Sequence, residues 1–161
     1  MSDTLQHTPF DGIADYISAL DAICAAAQHT LNIFENSYQD IGFNREARYD
    51  SLRRFLLGNN NRLQLLAHDA QHLVRYCPRV MNLLREFSPR MAIHQTPPHL
   101  HSVTEPFAVA DDRHYVRRYH FDDTRGLLAW HDPAGARALN GRFHEMWLSS
   151  RPAPETSTLG L

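Results

Sequence analysis

The sequence predicts an α/β fold, with a mixed, mainly parallel sheet covered by helices on both faces. In the first half of the chain, apolar residues at helical spacing alternate with short apolar runs, as in strands joined by helical crossovers. In the second half, short strand-like runs follow one another with only brief turns between them, which favours antiparallel pairing. The 161 residues fit a single domain with one core.

The first half alternates between helical stretches and strands. The first helix begins at Asp11, and its apolar residues recur at a spacing of three and four. A second helix is expected after Asn44 as its cap, and further helices are expected from Asp69 and from Pro78. Three largely apolar strands are predicted between them, at 31–35, 62–68 and 91–94. Such strands are typical of the interior of a covered sheet.

The second half adds a loop, three strands and a closing helix. The loop runs from Gln95 to Glu105 and contains prolines and histidines. Strands are predicted at 107–110, 114–120 and 126–130, and the first two should pair as a hairpin. Asp132 and Pro133 form a helix start, with an N-cap residue followed by proline at the first helical position. The resulting domain covers 11–150, between a flexible N-terminus (1–10) and a disordered tail (151–161).

Composition narrows the classes of protein that fit. All 16 basic residues are arginine, so any mechanism that needs a lysine is closed to this chain. The net charge of -2 argues against a strongly basic nucleic-acid-binding protein. The first residues show no secretory signal, and no apolar run approaches the ~18 residues of a membrane span. We therefore expect a cytoplasmic protein that does not contact membranes.

Three stretches resemble a known family. They are RLQLLAHDAQHLVRYCPRVMNLLREFSPRMAIHQT (62–96), PFAVAD (106–111) and RALNGRFHEMWLSSRP (137–152). In order and pattern they resemble parts of the phospholipase D-like superfamily. The first stretch resembles the second strand, long helix and third strand of that superfamily. The second resembles its hydrophobic strand that ends in aspartate, and the third resembles its closing helix. The chain resembles one half-domain of that superfamily. It also resembles a bacterial domain that is sometimes attached to acetyltransferases.

The resemblance implies a degenerate active site. Catalytic members carry His-x-Lys-x-x-x-x-Asp, in which the histidine is the nucleophile and the lysine holds the phosphate oxygens. Here Asp111 matches the aspartate, whereas Thr104 and Pro106 stand where the histidine and the lysine should be. Neither side chain can perform those roles. The candidate catalytic residues that remain near this position are His99, His101 and Asp111.

Candidate ligand-binding residues follow from the strand order. Ligands of open α/β sheets collect at the carboxyl ends of the parallel strands. Residues there, together with an arginine flanked by aromatic residues on the hairpin, give the candidates Glu35, His68, Asp69, His94 and Arg118. His68 and His72 are four residues apart, but His68 should end a strand, so no metal site is predicted. No cofactor is predicted.

Three functions remain open from the sequence. The first is a non-catalytic domain with an assembly, regulatory or ligand-binding role, which the missing His-x-Lys pair favours. The second is a diverged phosphodiesterase or phosphotransferase that uses His101 or His99. The third is a nucleic-acid-binding module, which the net charge disfavours. A single half-domain further implies a homodimer, or docking to an acetyltransferase domain.

Overall fold

The computed structural model describes residues 4–154. The strands in this range are β1 (Gln6–Asp11), β2 (Thr30–Glu35), β3 (Arg62–Ala67), β4 (Met91–Gln95), β5 (Phe107–Ala110), β6 (His114–Arg118), β7 (Arg125–Trp130) and β8 (Arg151–Pro152). The helices are α1 (Ile13–Ala26), α2 (Glu46–Leu56), α3 (Gln71–Tyr76), α4 (Pro78–Phe87) and α5 (Pro133–Ser149), with a 3₁₀ turn at Pro98–Leu100. The tail predicted to be disordered from residue 151 is ordered at Arg151–Pro152, which form β8 because they pair with β4 at the edge of the sheet. Residues 155–161 of that tail lie outside the described part of the chain.

All eight of these strands form one mixed sheet in the order β1-β7-β6-β5-β2-β3-β4-β8. The predicted mixed α/β fold is confirmed, but the sheet is not mainly parallel. Only β2–β3 and β3–β4 pair in parallel, and the other five pairings are antiparallel. The length of the connections explains four of these pairings. Helical crossovers join β2 to β3 and β3 to β4, which pair in parallel, whereas short turns join β5 to β6 and β6 to β7 and therefore reverse the chain direction.

The N-terminal segment differs from the flexible region expected for residues 1–10. Gln6–Asp11 is an edge strand that pairs with β7, from Gln6 opposite Trp130 to Asp11 opposite Arg125. Its polar sequence fits this position, because an edge strand is largely exposed. Pro9 is tolerated there because an edge strand has one side without ladder hydrogen bonds.

The sheet separates two layers of apolar side chains. Leu31 and Ile33 on β2 face the layer built with α1 to α4, whereas Phe34 faces the layer built with α5. This alternation follows the two-residue period of a strand. The same alternation decides on which face of the sheet the side chains at the ends of β2 and β3 lie.

The helix starts confirm one predicted cap and correct another. Asp132 caps α5, since its Oδ1 accepts a hydrogen bond from the Gly135 N–H at 3.1 Å. Asn44 does not cap α2. Arg45 is the N-cap residue, and the Asn44 side chain instead accepts from the Arg79 N–H at 3.2 Å, which links it to the start of α4. Among the described helices, none is both long and apolar enough to cross a membrane.

Candidate functional site

Glu35 and Arg118 meet in a buried polar cluster at the carboxyl end of β2. Alternation places both side chains on the face of the sheet that α1 covers. The Glu35 side chain accepts a hydrogen bond from Arg118 Nη2 at 3.2 Å and another from the Tyr16 hydroxyl of α1. Glu35 is 3% exposed and Arg118 6% exposed. We call Tyr16, Glu35 and Arg118 the strand-end cluster.

The rest of the Arg118 guanidinium is also held by the protein. Nη1 donates to the carbonyl oxygens of Phe121 at 3.1 Å and Asp123 at 3.3 Å, in the turn after β6. The guanidinium carbon lies 4.4 Å from the centroid of the Tyr16 ring, a cation–π distance. Of the three guanidinium nitrogens of Arg118, only Nε has no hydrogen-bond partner within residues 4–154. The cation is therefore neutralised and largely satisfied without a ligand.

Burial dominates the ionisation of the cluster. It raises the pKa of Glu35 to about 7, although the Arg118 charge and the hydrogen bonds from Tyr16 and Arg118 favour the carboxylate. Burial likewise raises the pKa of Tyr16 well above its ordinary range, and the neighbouring Glu35 adds to this. Tyr16 is therefore a neutral hydrogen-bond donor at neutral pH.

His68 lies on the opposite face of the sheet and is fully engaged. Its Nε2 is 2.6 Å from the Val103 carbonyl oxygen, which can only accept, so Nε2 carries the proton. Its Nδ1 is 2.6 Å from the Thr96 hydroxyl. Desolvation is the main cause that lowers the pKa of His68, so the ring is neutral at pH 7 and Nδ1 accepts from Thr96. A histidine with both nitrogens committed cannot serve as a nucleophile.

His101 is exposed and lies against His68. The two ring centroids are 4.7 Å apart, and Phe121 packs on His68 at 5.5 Å. In the described part of the chain, no hydrogen bond joins Arg118 to an imidazole. The pairing of His101 or His99 with this arginine, which the diverged-enzyme hypothesis predicts, is thus not formed in the structure.

Three other candidates lie apart from the cluster. His94 stacks on Trp147 of α5 at a centroid distance of 3.8 Å, and its Nδ1 is 2.8 Å from the Ser150 hydroxyl. Asp69 is exposed and accepts from the Gln71 N–H at 2.9 Å, at the start of α3. His99 is exposed in the 3₁₀ turn beyond β4. The contacts of His94 and Asp69 tie one element to the next.

Asp111 ties the β5–β6 turn to the segment before β2. Its Oδ1 accepts from the N–H groups of His29 at 2.8 Å and Thr30 at 3.0 Å, and its Oδ2 from that of Gln28 at 3.2 Å. Its φ of 59° is in the left-handed region, where aspartate and asparagine are the commonest non-glycine residues. The one residue that matches the catalytic motif therefore has a structural role here.

Replacing Asp111 by alanine should lower the free energy of unfolding by about 2 kcal/mol, because three acceptor contacts are lost and alanine is strained at a positive φ. Asp111→Asn should cost less than ~1 kcal/mol, since it keeps one acceptor oxygen and tolerates this backbone conformation. Urea denaturation measures both. No loss in either variant would show that these contacts do not stabilise the turn.

Sequence reasoning missed Tyr16 and Thr96, which hold Glu35 and His68. Tyr16 falls on the buried face of α1, where it is indistinguishable in pattern from a core residue. Thr96 follows β4 in a loop-like segment. The sequence did indicate that Glu35 needs a partner, because an acidic residue at the end of an apolar strand needs a hydrogen-bond donor or a cation. Within residues 4–154, no group of three or more His, Cys, Asp or Glu side chains could hold a metal ion.

Comparison with solved structures identifies the fold. NucT from Helicobacter pylori matches with a TM-score of 0.66 at 12% identity, covering 92% of this chain and 99% of that one. Nuc from Salmonella typhimurium, a phospholipase D family member, matches with a TM-score of 0.60 at 13% identity, covering 92% and 97%. At these identities the likeness shows the fold, which is phospholipase D-like.

A third structure belongs to a longer protein. TrmBL2, an archaeal chromatin protein with a novel mode of DNA binding, matches with a TM-score of 0.68 at 12% identity. The match covers 91% of this chain and 53% of TrmBL2, so the chain spans about half of that protein's length.

Comparison at the level of sequence gives a family. No curated protein matches the chain. A family model described as "Domain of unknown function (DUF7931)" matches residues 13–159, which include the whole sheet except β1. The chain belongs to the DUF7931 family.

Proposed function

We propose that this chain is a non-catalytic phospholipase D-like domain with an assembly, regulatory or ligand-binding role. The observation that carries the proposal is the pairing of Arg118 with Glu35. A phosphoryl-transfer site needs cationic donors that face the substrate. The buried arginine at these strand ends instead faces a carboxylate of its own chain at 3.2 Å.

The segment that aligns with the catalytic motif supports the same proposal. The carbonyl of Pro106 accepts from the Arg118 N–H at 3.0 Å, and the carbonyl of Thr104 accepts from the Phe121 N–H at 2.8 Å. These two residues therefore extend the backbone pairing between β5 and β6. Their side chains supply neither an imidazole nor an ammonium group, and the chain has no lysine that could replace the latter.

The proposal predicts no phosphodiesterase activity. Wild-type protein should release no p-nitrophenol from bis(p-nitrophenyl) phosphate above the buffer rate, whereas enzymes commonly turn over at ~1–10³ s⁻¹. An active phosphodiesterase in the same buffer is the positive control. Turnover that disappears in His101→Ala or His99→Ala, and persists in His144→Ala on the exposed surface of α5, would instead establish the diverged-enzyme alternative.

The assembly role requires a partner. We propose a homodimer, or docking to an acetyltransferase domain, because the chain resembles a single half-domain of the phospholipase D-like superfamily. Light scattering coupled to size exclusion tests the homodimer directly. A monomer at all accessible concentrations would leave docking to another domain as the assembly route.

Nucleic-acid binding is the second candidate, favoured by the fold shared with a DNA-binding chromatin protein. The net charge of -2 opposes it. Binding through phosphates should weaken steeply as salt rises. Fluorescence anisotropy with labelled DNA at low and high salt distinguishes such binding from none.

A further inference from the structure

A cleft beside β4 and β8 is separate from the strand-end cluster. Its volume is about 690 Å³, within the ~300–1,000 Å³ of many small-molecule sites. Four prolines line it together with five polar residues, which are Gln95, Thr96, His99, Ser149 and Arg151. Arg118, on β6, is four strands away in the sheet. The cleft therefore belongs to a different part of the molecule.

The register of the sheet places two of the polar residues, Gln95 and Arg151, next to each other. Gln95 on β4 is directly opposite Arg151 on β8. In an antiparallel pair, opposite side chains project from the same face with Cβ atoms ~4.5–5.5 Å apart. The Gln95 Oε1 already accepts from the Ala70 N–H at 2.9 Å, so its amide NH₂ is the end left to donate. Gln95 and Arg151 thus form a pair of neighbouring donors.

The charge balance of the lining is positive. Arg151 is exposed, and no carboxylate in residues 4–154 lies within ion-pair distance of it. His99 adds an imidazole to the lining, so its polar groups are not confined to β4 and β8. Within residues 4–154, none of the residues that line the cleft is acidic. This contrasts with Arg118, whose charge Glu35 neutralises.

Thr96 contributes no donor to the cleft. Its hydroxyl proton is committed to Nδ1 of His68, because Nε2 of the same ring donates to Val103. The prolines carry no N–H group either. The polar end of an occupant that meets Gln95 and Arg151 must therefore be an acceptor, and the remainder must suit the apolar proline surface.

We propose that this cleft binds a small organic anion with an apolar body, whose charged end lies on Gln95 and Arg151. The proposal does not depend on whether the chain hydrolyses phosphodiesters, so the two can fail separately. Carboxylates and phosphonates share the required chemistry. Benzoate and phenylphosphonate are suitable probes, and benzamide is a neutral probe of the same shape as benzoate.

The test is a backbone amide NMR titration of the full chain with each probe. Benzoate, phenylphosphonate or both should shift the amides of Gln95, Ser149 and Arg151 saturably, and benzamide should bind at least tenfold more weakly. Arg151→Ala should weaken anion binding about tenfold or more, because a charge-assisted contact is lost. The matched control is Arg54→Ala, an exposed arginine on α2. It should leave binding unchanged.

Several results would overturn the proposal. They are the absence of saturable shifts with either anion, shifts confined to residues outside the cleft, or benzamide binding as tightly as benzoate. Equal weakening by Arg54→Ala and Arg151→Ala would indicate general charge attraction and would also reject a specific site. The amide spectrum of each variant shows whether it is folded, so a misfolded Arg151→Ala is recognised, and Arg151→Gln then replaces it.

Discussion

Replacing Arg118 by methionine should lower the free energy of unfolding at pH 8 by about 3–5 kcal/mol. Methionine keeps an apolar stem of similar length, so the loss reports the guanidinium. Glu35 would lose its counter-charge while remaining 3% exposed, and the Phe121 and Asp123 carbonyls would lose their donor. Glu35 would then either remain as an unpaired buried charge or take up a proton, and both states cost free energy at pH 8.

The neighbouring Arg117 provides a matched control. Its Nη2 is 2.7 Å from Glu105, but the two side chains are 32% and 36% exposed. Such surface pairs contribute about 0–1 kcal/mol, so Arg117→Met should change stability little. Urea denaturation of both variants gives the comparison. Similar small losses in the two would mean that the Glu35–Arg118 pair does not hold the strand ends together.

The ionisation of Glu35 should make stability fall as pH rises. Its pKa is raised from 4.5 to about 7 in the folded protein, chiefly by burial. The folded state therefore binds a proton that the unfolded state has released. The stability that proton binding by Glu35 contributes is fully present below about pH 4.5, declines between about pH 4.5 and 7, and is lost above that window. The binding of one proton changes the free energy of unfolding by at most about 1.4 kcal/mol per pH unit.

His68 and His94 act in the opposite direction. Burial lowers the pKa of each below 6.5, so the unfolded state binds more protons and stability rises as pH approaches 6.5. The wild-type profile alone therefore mixes the two effects. The informative quantity is the difference between wild type and Glu35→Gln, measured by urea denaturation from pH 5 to pH 8.

Glu35→Gln should remove the falling component and leave the histidine component. The variant will be less stable at pH 8, because Arg118 loses its carboxylate, but this offset does not affect the slope. His68→Gln is the control, since it should remove part of the rising component instead. Parallel wild-type and Glu35→Gln profiles would show that Glu35 titrates at its ordinary value and that burial does not govern the cluster.

Local sequence patterns predicted the elements well because each pattern is set by nearby residues. The helical spacing around Leu20 and the apolar run at 62–68 place α1 and β3 close to their observed bounds. The β5–β6 hairpin and the Asp132 cap were also predicted. The edge strand β1 was missed, because an exposed strand needs no apolar pattern. Its hydrogen bonds come from β7, more than a hundred residues later in the chain.

Long-range pairing explains the remaining differences. The position of β5 beside β2, which makes the centre of the sheet antiparallel on one side, has no local signature. Glu35 and Arg118 were each singled out as binding candidates, but they are 83 residues apart, and nothing in either segment predicts that they bind each other. The sequence could identify chemically capable residues, whereas only the fold shows that these two satisfy one another.

The proposed non-catalytic role requires that no group at the strand ends attacks a phosphoryl group. Intact-mass spectrometry after prolonged incubation with bis(p-nitrophenyl) phosphate and an alkaline quench tests it most directly, because it detects a single covalent event that a turnover assay misses. We expect an unchanged mass for the wild-type chain. A stable mass increase equal to one transferred phosphoryl ester, mapped to His101 or His99 and lost when that residue is replaced by alanine, would contradict it.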